Sequence, residues 1–222
     1  MTAITLTASD GFTLDAWRAE PAGAPRGGVV VVQEIFGVNS HIRSVCDRLA
    51  GAGYVAVAPA IFDRIEPGFE TGYSPEQIEV ARGLMGRFDM AKCLLDIAAA
   101  RDSLAGTGKI GVVGFCLGGS VAYAAASQLD GFAAASSFYG GMVNKLIGNP
   151  PRCPVQFHYG ALDAGIPPEN YNAVRSALPQ AEFHVYDRAG HGFNCDQRGS
   201  YAPEAAALAW QRMLEFFART LD

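Results

Sequence analysis

Three almost wholly apolar runs constrain the fold of this chain more than any other feature. They are GGVVVVQ at 27–33, YVAVAP at 54–59 and KIGVVGF at 109–115. Each has strand length, and none alternates with polar residues. Such strands are buried on both faces, as in a parallel sheet covered by helices. AAASSFY (133–139), PVQFHYG (154–160) and EFHVYD (182–187) continue the series. Helical spacing falls between and after the strands, at 75–86, 89–105, about 118–128 and 168–178. Ser40 is placed to cap a helix running to about Ala50, which Gly51 and Gly53 end. An amphipathic helix, 202–219, closes the chain, with Leu208, Trp210, Leu214 and Phe217 among its apolar residues. At the N-terminus, residues 3–8 and 12–18 alternate around the turn Ser9-Asp10-Gly11, the signature of a hairpin. The prediction is an α/β protein: a mostly parallel sheet of about eight strands, an N-terminal antiparallel hairpin, and helices on both faces.

A length of 222 residues suits one domain, 1–222, with the irregular segment 60–87 as a small cap over the site. Half of the residues are hydrophobic and 18% are charged, which excludes a disordered chain. The net charge of -5 and the lack of a Lys/Arg cluster argue against nucleic acid or an anionic membrane as partner. No basic-then-apolar leader opens the sequence. The most apolar stretch, Val121 to Phe138, is broken by Gln128, Asp130 and Gly131, so no membrane span is expected. The five cysteines are scattered without a CxxC pair and without metal-ligand spacing to the four histidines. The expectation is reduced thiols, a cytoplasmic protein, and no metal or organic cofactor.

In a parallel sheet the ligand site lies beyond the carboxyl ends of the strands. There the chain carries Gly114-Phe115-Cys116-Leu117-Gly118-Gly119, a G-x-S-x-G elbow with cysteine in place of serine. A nucleophile at so sharp a turn needs glycine on either side, and the following helix directs its first amides at the sulfur. A buried structural cysteine beside a glycine turn would give the same short match. The elbow's partners must follow in the order acid, histidine. Asp163 follows PVQFHYG, and His191, between Gly190 and Gly192, follows EFHVYD. His191 can take the thiol proton and Asp163 can fix its tautomer. The alternative for His191 is a mobile surface-loop histidine. His158 and His184 fall inside strands, and His41 begins a helix. Leu117 N–H and Ile35 N–H are the candidates for an oxyanion hole. Glu34, beside a buried strand, needs either a function or an arginine partner.

These motifs, with Gln33-Glu34-Ile35-Phe36-Gly37-Val38-Asn39, Tyr139-Gly140-Gly141, Ile166-Pro167 and Gly190-His191-Gly192-Phe193, resemble the dienelactone hydrolase family over nearly the whole chain. The resemblance implies an α/β-hydrolase fold and a Cys-His-Asp triad on Cys116, His191 and Asp163. It implies that Glu34 contacts the resting cysteine and takes its proton when substrate binds. It implies two arginines for a substrate carboxylate, but their positions are Ile78 and Cys195 here. Arg82 and Arg198 are the nearest replacements, each expected at the surface. Phe36, Tyr139, Phe193 and Arg82 are the expected substrate contacts. The implied reaction is hydrolysis of a small-molecule ester or lactone through a thioester on Cys116, by a monomer or weak homodimer. A carboxylesterase or thioesterase of other acyl specificity, and a non-catalytic binding protein, are the rival readings.

Overall fold

The computed structural model describes residues 1–222. Its elements run β1 (Thr2–Thr7), β2 (Thr13–Ala19), β3 (Gly27–Val32), α1 (Ser40–Gly51), β4 (Tyr54–Pro59), α2 (Pro75–Met85) and α3 (Met90–Asp102). They continue β5 (Ile110–Phe115), α4 (Leu117–Gln128), β6 (Ala134–Phe138), α5 (Val143–Leu146), β7 (Val155–Gly160), α6 (Pro168–Ala177), β8 (Glu182–Tyr186) and α7 (Pro203–Leu221). One eight-stranded sheet has the order β1-β2-β4-β3-β5-β6-β7-β8. β1 and β2 form the expected antiparallel hairpin, β2 meets β4 antiparallel, and every pair from β4 to β8 is parallel. Every residue of β3, β4, β6 and β7 is buried, as strands covered on both faces require.

The strand order places the site. From β3 the chain steps to β4 on one side, then crosses back to lay β5 on the other. A crevice opens where the winding reverses, outside the carboxyl ends of β3 and β5. Glu34 follows β3 and Cys116 follows β5, so both leave the sheet at that point. Strands β6, β7 and β8 then step outward, carrying Tyr139, Asp163 and His191 at the same end of the sheet.

Local chemistry differs from expectation in three places. Asn39, not Ser40, caps α1: its side-chain oxygen accepts the Ile42 N–H at 3.3 Å, while Ser40 Oγ donates to Gln197. Asparagine at that position satisfies an early helix amide as well as serine would, one residue sooner. In α7 the buried stripe is Ala206, Ala209, Met213, Phe216, Phe217 and Leu221. Leu208 falls outside it and is exposed, because the stripe recurs every three to four residues from Ala206. The four-residue α5 was not foreseen, since a single turn leaves no periodicity to read.

Residues 60–74 run as turns over the loop that follows β3. Asp63 accepts the N–H groups of Asp15 and Gly68, Thr71 N–H donates to the Phe36 carbonyl at 3.0 Å, and the Asn39 amide donates to Thr71 and Tyr73 oxygens. α2 follows with a complete capping box between Ser74 and Gln77. No helix is long and apolar enough to cross a membrane.

Candidate active site

Cys116 occupies the turn between β5 and α4 with φ 56° and ψ -115°, in the left-handed region that a β-carbon disfavours. Its own N–H donates to the Phe138 carbonyl at 3.0 Å, and its carbonyl receives the Gly119 N–H, so the turn is held from both sides. The flanking glycines are required by contact. A β-carbon on Gly114 would lie 1.8 Å from the Gly118 oxygen, and one on Gly118 would lie 2.2 Å from the Val32 oxygen. α4 starts without a side-chain cap, leaving its N-terminal end open beside the sulfur. Among the backbone hydrogen bonds of loops, turns and caps, none uses the N–H of Leu117 or Ile35 as donor.

The structure brings Cys116, His191 and Asp163 into one line. Cys116 Sγ lies 3.0 Å from His191 Nε2, and His191 Nδ1 lies 2.7 Å from Asp163 Oδ2. The other carboxylate oxygen of Asp163 accepts the Gly165 N–H at 2.9 Å, and the side chain is buried. The two loops that carry the acid and the imidazole are tied together. Leu162 N–H donates to the Ala189 carbonyl at 2.9 Å, and a β-carbon on Gly160 would lie 2.3 Å from the same oxygen. Burial alone would lower the His191 pKa. The charge of the Cys116 sulfur and the hydrogen bond to Asp163 outweigh burial and raise it to about 10. A thiol beside such a ring can pass its proton to Nε2 and stand as thiolate against imidazolium.

Glu34 is 1% exposed and forms an ion pair with Arg198, Nη1 to Oε1 at 2.8 Å. This departs from the resting contact between Glu34 and Cys116 that the resemblance implied, because the sulfur faces His191 instead. It also corrects the placing of Arg198 at the surface. Its guanidinium lies 5.4 Å from the Phe36 ring centroid and 5.7 Å from that of Tyr73. Gly192, at φ 75°, makes room for it: a β-carbon there would be 2.4 Å from Arg198 Nη1. That glycine was the available signal for Arg198, but a distance of six residues in sequence carries no hint of the contact.

The remaining candidates fall in two groups. Phe36, Tyr139 and Phe193 are fully buried, and of the three Tyr139 packs directly on the His191 ring. Tyr139, itself at φ 40°, sets its ring edge-on to His191 at 5.2 Å and to Phe193 at 5.4 Å. Phe36 packs against Tyr73 at 4.7 Å. Arg82, by contrast, sits on an exposed face of α2 and pairs with Glu79. His41, read only as the start of a helix, is buried, with Nδ1 3.4 Å from an Asp196 carboxylate oxygen.

With this geometry in hand, the comparisons with known proteins are consistent with one another. Residues 14–221 match the dienelactone hydrolase family. The chain is 36% identical to carboxymethylenebutenolidase of Pseudomonas putida, over 97% of this chain and 95% of that protein. It is 37% identical to a candidate carboxymethylenebutenolidase of Synechocystis sp., over 99% and 97%. A crystal structure of a candidate dienelactone hydrolase from Klebsiella pneumoniae subsp. pneumoniae superposes with TM-score 0.86 at 34% identity, covering 99% of this chain and all of that one.

Proposed function

Because the chain belongs to the dienelactone hydrolase family and is a hydrolase of ester or lactone bonds, we propose that it works through Cys116 as nucleophile and a thioester acyl-enzyme. The observation that carries this reading is the line from Cys116 Sγ through His191 to Asp163, at 3.0 and 2.7 Å. The thiolate attacks the carbonyl carbon, and the oxyanion is held by the amides of Leu117 and Ile35. Loss of one such donor typically costs on the order of a hundredfold or more. His191 then gives its proton to the leaving alcohol or enolate. Acylation removes the sulfur's negative charge, which is the largest influence holding that proton on the ring. The imidazole is therefore free to act as base toward the water that cleaves the thioester. Asp163 keeps the tautomer throughout.

A thiolate is itself easily expelled from a tetrahedral intermediate, so the site favours substrates whose leaving groups depart readily: enol lactones and activated esters rather than amides. Segment 60–87 acts as the cap. Its aromatic residues support small substrates over long acyl chains. Phe62 is buried and packs against Phe69 and against Phe88 just past the segment, and Phe69 and Phe88 pack in turn against the core. Arg198, paired with Glu34, is the cation available to a substrate carboxylate. The protein acts on a small molecule in the cytoplasm, as a monomer or weak homodimer.

A panel of enol lactones, aryl acetates and aryl esters of increasing acyl length tests the substrate class. kcat/KM is expected to be highest for lactones and acetates and to fall about tenfold or more by a medium-length chain. A rise with chain length would assign the site to a long-chain carboxylesterase or thioesterase.

A further inference from the structure

Behind the proposed oxyanion loop, three side chains converge that the hydrolytic reading leaves largely unused. We infer that Glu34, His41 and Cys195 form a binding site for a divalent cation of the zinc type. They come from the loop after β3, the first turn of α1 and the loop after β8, so no short spacing in the sequence announces them. Their ligand atoms all lie within 4.8 Å of one another, and all three residues are buried.

Two of the three offer atoms without partners. Glu34 Oε2 and His41 Nε2 are buried and make no hydrogen bond. A buried carboxylate oxygen and a buried imidazole nitrogen are costly in that state, and a cation between them would satisfy both. Arg198 occupies only Oε1 of Glu34 and leaves Oε2 to the site. Asp196 lies 3.4 Å from His41 Nδ1, close enough for a small side-chain movement to make the hydrogen bond by which a carboxylate fixes the proton on one ring nitrogen and leaves the other lone pair for a metal.

Thiolate, imidazole and carboxylate together select zinc over magnesium or calcium. With zinc–ligand bonds of about 2.0–2.3 Å, tetrahedral donors stand roughly 3.5 Å apart, so from separations of up to 4.8 Å the donor atoms approach one another by about 1.3 Å at most. Water or the Tyr73 hydroxyl, which lies beside Cys195, completes the shell. Binding breaks the Cys195 S–H bond and forms a zinc–sulfur bond, and the proton leaves to solvent. The Cys195 thiolate, Glu34 and Asp196 then balance zinc and Arg198 in charge. Occupancy fixes Glu34, bound through Oε2 and still held by Arg198 through Oε1, next to the Ile35 amide.

Cobalt titration of the Cys116→Ala protein tests the site, because that substitution removes the only other thiol facing a histidine in the active centre. One equivalent is expected to produce a thiolate-to-cobalt charge-transfer band and tetrahedral ligand-field bands, which one equivalent of zinc displaces. Adding Cys195→Ser abolishes the charge-transfer band, and adding His41→Gln weakens binding at least tenfold. Absence of the band in folded Cys116→Ala protein overturns the inference. So does a band that survives both added substitutions at full affinity; if Cys195→Ser does not fold, the parent and His41→Gln titrations decide.

Discussion

Cys116→Ala is expected to lower hydrolysis of an activated aryl ester by about 10⁶-fold, to the residual rate that binding and oxyanion stabilisation alone support. The substitution removes the only atom within 3.0 Å of His191 Nε2 that can attack a carbonyl. It leaves the turn intact. Alanine keeps the β-carbon that the backbone at φ 56° already accommodates, and the hydrogen bond from residue 116 N–H to the Phe138 carbonyl is unaffected. The thermal unfolding midpoint is therefore expected to stay within about 5 °C of the parent. Retention of activity in a folded variant would assign the chemistry to another group.

Asp163→Asn is expected to reduce kcat by on the order of 10³–10⁴-fold and to change the pH dependence of kcat/KM. The amide keeps the shape but lacks the charge that stabilises imidazolium, and it favours the wrong tautomer. The sign follows from His191. Burial lowers its pKa, but the charge of Cys116 and the hydrogen bond to Asp163 raise it to about 10. In the free enzyme the protonated ring thus survives through neutral pH and is lost as pH rises through about 10, which sets the upper limb of kcat/KM. Without the Asp163 charge that upper limb moves toward lower pH. Stability shifts in the same sense. A raised histidine pKa contributes stability that is complete below about 6.5 and disappears as pH rises through the folded value. The parent's stability should therefore decline between these two pH values, and the Asp163→Asn protein should show a smaller decline. Overlapping pH profiles of parent and variant would detach Asp163 from His191.

Much of this arrangement is legible in the amino-acid sequence, for physical reasons. Strands buried on both faces must be apolar throughout, so 27–33, 54–59 and 109–115 declare a parallel sheet. The elbow is legible because backbone contact permits nothing larger than hydrogen at Gly114 and Gly118. The placement of cysteine, aspartate and histidine after β5, β7 and β8 brings the three to the carboxyl ends of the parallel strands. What the sequence conceals is pairing across loops. Arg198 and Glu34 are separated by 164 residues, and only the packing of the loop after β8 against the loop after β3 joins them. An arginine near the chain's end looks like a surface residue until Gly192 is seen making space for its guanidinium. Arg82 shows the converse: one helical turn from Ile78, it was a plausible anion contact, yet the structure pairs it with Glu79 on an exposed face. Helix patterning could not tell a face turned to solvent from one turned to the site, since α2 buries only Ala81 and Leu84.

The most direct measurement is mass spectrometry of the protein quenched in acid during turnover of a slow ester. An acyl group added once per chain, located by digestion on the peptide bearing Cys116 and released by hydroxylamine, is the predicted result. Full turnover with no adduct under any quench time, or an adduct on a different side chain, would contradict a thioester at the end of β5.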